Sequence, residues 1–166
     1  MGSHGAKGIK EFVIGSNTQH VIQHVQIPVL VIKKAVKDFY VKNLIFASAF
    51  QEDVVRSFKE VASFAALFNS IVHLVYINFV DHLVEASVAE SSINELRAPF
   101  PTFNFSNNVA ETNDEEWAID QFANRLGADV IAISTFDKEG FPKFLAHPIA
   151  ESLVNHQELP VLVVNN

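Results

Sequence analysis

MGSHGAKGIKEFVIGSNTQHVIQHVQIPVLVIK, residues 1–33, is the stretch from which the rest of the chain can be read. Gly2, Gly5, Gly15 and Ser16 stand in the pattern G-x2-G-x9-G-S. Without a Cβ, Gly2 and Gly5 let backbone N–H groups come close to a ligand. Ser16 suits the N-cap of a helix, and Gln19 three residues on completes a capping box. Val21, Ile22 and Val25 follow at helical spacing, predicting a helix from about Ser16 to Val25. Unpaired N–H groups at such a helix start form a natural phosphate site. Pro28 to Ile32 is then a continuous apolar run ending at Lys33-Lys34, as in a strand covered on both faces. The same glycines would also suit a purely structural strand-to-helix turn, and Met1 to His4 would suit a cloning remnant.

The spacing of these residues, followed by Pro28-Val-Leu-Val, closely resembles the C-terminal third of a universal stress protein domain, from the end of its fourth strand to its last. The resemblance implies an ATP site, with or without Mg2+, in which Gly2, Gly5, Gly15 and Ser16 hold phosphates and ribose. It places Met1 near the adenine and makes Asn17 a further candidate. In the family this segment ends a domain, whereas here it begins the chain. The chain therefore resembles a tandem universal stress protein lacking most of its first domain. Residues 1–34 would be the remnant, 35–42 a linker, and 43–166 a complete, degenerate domain. The fold implied is an α/β, adenine-nucleotide alpha-hydrolase-like (Rossmann-like) sandwich with a five-stranded parallel sheet, plus the helix–strand remnant.

The alternation of apolar runs predicts the same architecture without the resemblance. Leu44–Ala49, Ile71–Ile77, a region around Phe103–Val109, Asp129–Ser134 and Pro160–Val164 read as strands. Glu52–Leu67, Asp81–Leu96, a segment capped by Thr112 or Asn113, and Pro148–His156 read as helices, with Gly127 closing the third. Strands alternating with helices imply a parallel sheet covered on both faces. Phe39 and Tyr40 in the linker are expected to pack on the body, and Phe58, Phe64 and Phe68 in its core.

Composition bounds the function. The chain has 166 residues, 49% of them hydrophobic and 19% charged, enough to bury a core. A net charge of −7 with scattered Lys and Arg argues against nucleic acid, which needs a concentrated positive face. There are no cysteines for disulfides or thiolate metal sites. Neither a membrane-length apolar run nor a signal-peptide pattern is present, so the expectation is a cytoplasmic protein with no membrane partner.

Pro28 and Pro160 head the same Pro-Val-Leu-Val run, an offset of 132 residues (160 − 28). That offset sets Gly2 on Ser134, Gly5 on Asp137, Gly15 on His147 and Ser16 on Pro148, so the fold signal repeats and the phosphate loop does not. A carboxylate at Asp137, about 4 Å from a phosphate at an effective dielectric near 20, would repel it by about 4 kcal/mol. That is half the roughly 8 kcal/mol of a micromolar complex. The resemblance also places Ala49 where ATP-binding members carry an aspartate after strand one. The second domain is therefore expected not to bind ATP.

In the family the last strands of two domains pair antiparallel, so Pro28–Ile32 should pair with Pro160–Val164 of the same chain or of a neighbour. The helix bearing Val21, Ile22 and Val25 lacks its own sheet, and a homo-oligomer or segment exchange would cover it. Other constellations read as structural. His20 and His24 lack a third metal ligand; Ser48 and His73 lack an acidic orienter; Asp114, Glu115 and Glu116 fit a solvated helix start. Trp117 is expected to be partly exposed or an interface anchor. No residue has the look of a hydrolytic base, so a slow ATPase is the most catalysis to expect. The expectation is a nucleotide-binding stress-response regulatory module. The alternative is a dimerisation or interaction protein with a vestigial loop.

Overall fold

The computed structural model describes residues 16–48, 50, 54–135 and 147–165. The chain runs α1 (Ser16–His24), β1 (Val29–Val31), β2 (Asn43–Ser48), α2 (Val54–Ala66) and β3 (Ile71–Asn78). A short 3-10 turn (Val80–His82) leads to α3 (Ala86–Arg97), β4 (Asn104–Glu111), α4 (Glu115–Leu126), β5 (Val130–Thr135), α5 (His147–His156) and β6 (Val161–Asn165). All six strands join one sheet in the order β1-β6-β5-β2-β3-β4. The five strands β2 to β6 are parallel, as expected, and β1 extends the sheet as a sixth, antiparallel strand.

Alternation along each strand divides the core between the two faces. Leu44, Phe46, Leu74, Ala132, Leu162 and Val164 meet the buried sides of α2 and α3 on one face. Ile45, Ala47, Val75, Ile131, Val161 and Val163 meet α4, α5 and Ile22 of α1 on the other. The apolar spacing of α2 does what it predicts, burying Val54, Phe58, Val61, Ala62 and Ala65. Phe58 is fully buried, while Phe64, Phe68 and Phe39 of the linker pack partly buried against the same cluster. Tyr40 stays exposed, its ring edge-on to Phe68 and its hydroxyl donating to the Phe68 carbonyl at 3.0 Å.

Two boundaries differ from the sequence expectation for local reasons. The helix expected over Asp81–Leu96 is broken before Ala86. The Asn78 side chain takes both backbone groups of Val84, accepting from its N–H at 3.0 Å and donating to its carbonyl at 3.1 Å. Leu83 and Glu85 on either side are accordingly extended, with ψ of 129° and 143°. The N-cap of α4 is Asp114, whose carboxylate accepts from Trp117 N–H at 2.9 Å. Thr112, expected as a cap, instead accepts from Asp114 N–H at 2.8 Å and shapes the approach to the helix. Gly127 closes α4 at φ 60°, the left-handed conformation that glycine adopts without a Cβ clash.

Candidate functional site

Of the residues expected to hold a nucleotide, Met1, Gly2, Gly5 and Gly15 lie outside the described residues, as do Ala49 and Asp137. Ser16 opens α1 and Asn17 stands in its first turn. The first N–H groups of any helix lack intrahelical partners, so the start of α1 offers donors beside the glycine pattern. Ile22 of α1 is fully buried, Val25 half-buried and Val21 42% exposed. The apolar side of α1 is thus covered at Ile22 within one chain and open at Val21.

What seats α1 and β1 is a seam with internal two-fold symmetry. Val29, Leu30 and Val31 pair antiparallel with Val163, Leu162 and Val161. Under the 132-residue offset Leu30 and Leu162 are the same position, so the local axis passes between them. The flanking polar contacts follow the same symmetry in their donors and in one acceptor on each side. Lys33 Nζ donates to the Asn155 and Gln157 carbonyls at 2.7 and 2.5 Å, closing the end of α5. Asn165, its equivalent, donates from Nδ2 to the Ile22 carbonyl at 2.8 Å and to that of Val25, closing the end of α1. Val25 and Gln157 are again equivalent positions. Each half thus supplies the donor for carbonyls that the last turn of the other half's helix leaves without intrahelical partners. Burial holds the Lys33 pKa below its ordinary value, with Glu158 opposing that shift. The Lys34–Glu158 ion pair at 2.8 Å lies alongside and is exposed.

Open α/β sheets bind ligands at the carboxyl ends of strands where the order reverses, which here is between β2 and β5. Past the carboxyl end of β2 the chain turns an aromatic ring back onto β2 and β3. Phe50 has φ 45°, a left-handed conformation disfavoured for a bulky residue. Its N–H donates to Ser48 Oγ at 3.1 Å. The ring, 7% exposed, stacks on Phe46 with centroids 5.9 Å apart and meets Tyr76 edge-on at 5.5 Å. Burial raises the Tyr76 hydroxyl pKa above its usual value. Phe50 is the residue that sequence reasoning missed. Its signal, one position beyond Ala49, was a large aromatic where the chain should leave a strand into a polar loop.

The other constellations are structural. Ser48 and His73 are not brought together, since His73 pairs in register with Ile45 and Ser48 with Tyr76. His73 Nδ1 lies 2.6 Å from Ser106 Oγ and Nε2 lies 3.2 Å from Asn43 Oδ1, and burial holds its pKa below the usual imidazole value. His20 and His24 are exposed, and His24 Nδ1 donates to the His20 carbonyl at 2.9 Å. Among the described residues no group of three or more His, Asp or Glu side chains could hold a metal ion. Glu116 joins α4 to α5 by accepting from Ser152 Oγ and lying 2.9 Å from His156 Nδ1. Ser152 lies 3.1 Å from that same nitrogen, so serine and carboxylate share one ring nitrogen and the cluster clamps two helices. Glu115 beside it is half-buried, and burial pushes its carboxyl up to about 7. Trp117 is 57% exposed. No helix among the described residues is long and apolar enough to cross a membrane.

Residues 1–33 match the model of the Universal stress protein family. The structure adds the rest of the chain to that likeness. It superposes on a universal stress protein from Archaeoglobus fulgidus DSM 4304 with TM-score 0.71 and 18% identity, over 99% of this chain and 60% of that one. The fold is that of the universal stress proteins. A universal stress protein in complex with cAMP matches with TM-score 0.62 and 11% identity, over 76% of this chain and 98% of that one. A universal stress protein family member from Burkholderia pseudomallei matches with TM-score 0.51 and 17% identity, over 74% and 95% of the two chains. The chain spans 60% of the length of the first structures it matches. No curated protein matches its sequence.

Proposed function

We propose that the chain is a universal stress protein-type regulatory module of the cytoplasm, binding ATP or a related nucleotide through Gly2, Gly5, Gly15 and Ser16. Met1 lies beside the base and Asn17 adds a contact. The observation that carries this reading is the division of features between the two halves. The family model matches residues 1–33, where the glycine pattern lies, whereas the 132-residue offset sets Gly2, Gly5 and Gly15 on Ser134, Asp137 and His147 of the second half. A similar protein crystallised with cAMP supports a nucleotide as the ligand class. Residues 1–34 are the end of a first domain, 35–42 a linker, and 43–166 a complete domain that does not bind ATP. The two-fold seam between β1 and β6 supports that division. Exchange of α1 and β1 between two copies would keep every seam contact and make a homo-oligomer. The seam also favours a second reading, an interaction module in which the loop is vestigial.

Calorimetric titration of the chain with Mg-ATP, its oligomeric state established beforehand, separates these readings. Micromolar binding abolished by Gly15→Asp is the expected result. Absence of binding, or binding indifferent to Gly15→Asp, overturns the nucleotide reading and leaves the interaction module.

A further inference from the structure

Apart from the seam, the sheet has one edge with no strand partner among the described residues. β4 ends the sheet and pairs with β3 along its whole length, from Asn104 opposite Ile71 to Glu111 opposite Asn78. Its outer row of backbone N–H and C=O groups therefore faces away from the sheet. Exposed edges are commonly blunted by lysine, proline or a bulge. The sequence NFSNNVAE contains neither lysine nor proline, and its register is unbroken.

The two faces of this edge each carry a groove and an arginine. On the α3 side a groove of about 270 Å³ is lined by Arg97, Phe100, Pro101, Phe103 and Phe105. On the α4 side another of about 270 Å³ is lined by Glu111, Trp117, Gln121, Phe122 and Arg125. Arg97 donates to Asn107 Oδ1 at 3.2 Å and lies 5.1 Å from the centre of the Phe105 ring. Arg125 donates to Asn108 Oδ1 at 3.4 Å and lies 4.2 Å from the centre of the Phe122 ring. Both guanidinium groups are therefore held on neighbouring asparagines of the edge strand, one on each face. Among the described residues neither is paired with a carboxylate, although the chain carries 19 acidic residues against 12 basic ones.

We propose that the β4 edge, with its two flanking grooves, docks an extended acidic segment of a partner protein. The segment adds to the sheet as a further strand and presents neighbouring carboxylates to Arg97 and Arg125. Strand addition takes affinity from main-chain hydrogen bonds and specificity from alternate side chains. Because those side chains fall on opposite faces, two consecutive acidic residues reach the two arginines at once. A guanidinium held by a neutral amide exchanges that weak contact for a charge-assisted bond to carboxylate. Apolar residues flanking the acidic pair would fall against Phe100 and Phe103 on one face and Trp117 and Phe122 on the other.

Trp117 is the single tryptophan of the chain and lines one groove, so its fluorescence reports occupancy. The probe is the blocked peptide Thr-Thr-Val-Asp-Glu-Val-Thr-Thr, with Asn-Gln replacing Asp-Glu in the control. The acidic peptide should shift Trp117 emission and slow hydrogen exchange of amides in Asn104–Glu111. It should bind at least tenfold more tightly than the control at low salt, and Arg97→Gln with Arg125→Gln should abolish that preference. Equal binding of the two peptides, a preference that survives the double substitution, or an unchanged β4 exchange pattern would overturn the proposal. Protection of β4 that grows with protein concentration in the absence of peptide would also overturn it, assigning the edge to a second copy of the chain.

Discussion

Replacing Ile22 by alanine tests whether the N-terminal helix is part of one chain's core. Ile22 is fully buried among residues that include Val161 and Val163, whereas Val21 on the same helix is 42% exposed. An isolated helix of nine residues is marginal in water, so α1 depends on this contact and on its closing bonds from Asn165. Truncation removes three carbons from a filled site, and buried isoleucine-to-alanine changes cost about 2–5 kcal/mol. Because one side of α1 borders solvent, relaxation should bring the loss toward about 3 kcal/mol. In native-state hydrogen exchange this corresponds to amides of α1 and β1 exchanging about 100-fold faster, at roughly 1.4 kcal/mol per decade. The acceleration should be the same at 10-fold different protein concentrations, because the contacts lie within one chain. Less than about a threefold change, or protection that rises with concentration, would show that α1 is not held in the way described.

Three other perturbations probe the remaining parts of the account. Lys33→Met removes both donors from the end of α5 and should cost about 1–2 kcal/mol in urea unfolding; an unchanged midpoint would deny the seam its polar share. Glu115 holds its proton more tightly folded than unfolded, its carboxyl moving from 4.5 to about 7. Its contribution is therefore full below pH 4.5 and is lost as pH rises through 7, by up to about 3 kcal/mol. Glu115→Gln should flatten the fall in urea midpoint between pH 5 and 8, and an unaltered slope would assign that fall to other groups. Phe50→Gly relieves the left-handed backbone but empties the ring's site, and should lower stability by about 3 kcal/mol without creating ATP affinity in the second half. Acquired ATP affinity there would show that Phe50 is what closes an otherwise competent second site.

Most of the architecture was legible because apolar periodicity is a local signal. The resemblance also implied an antiparallel pairing of Pro28–Ile32 with Pro160–Val164, of the same chain or a neighbour, and the structure adds its register. What the sequence hid depends on contacts made across the fold. The side chain of Asn78 interrupts the helix expected over Asp81–Leu96 from six residues away. β4 is rich in asparagine, a poor strand former, and is held in the sheet by its full register with β3. The role of Phe50 was not legible, since only the folded backbone shows the ring turned back over Phe46 and Tyr76. The nucleotide contacts assigned to Met1, Gly2, Gly5 and Gly15 rest on their pattern and on the family likeness of residues 1–33, joined by the position of Ser16 at the start of α1.

An NMR titration of the isotopically labelled chain with Mg-ATP tests the central claim most directly, because it asks which half responds. The account predicts saturable shifts in the amides of Gly2, Gly5, Gly15, Ser16 and Asn17, with those of Ser48, Phe50 and Thr135 unmoved. Shifts centred on Ser48, Phe50 and Thr135, with the N-terminal loop silent, would contradict it.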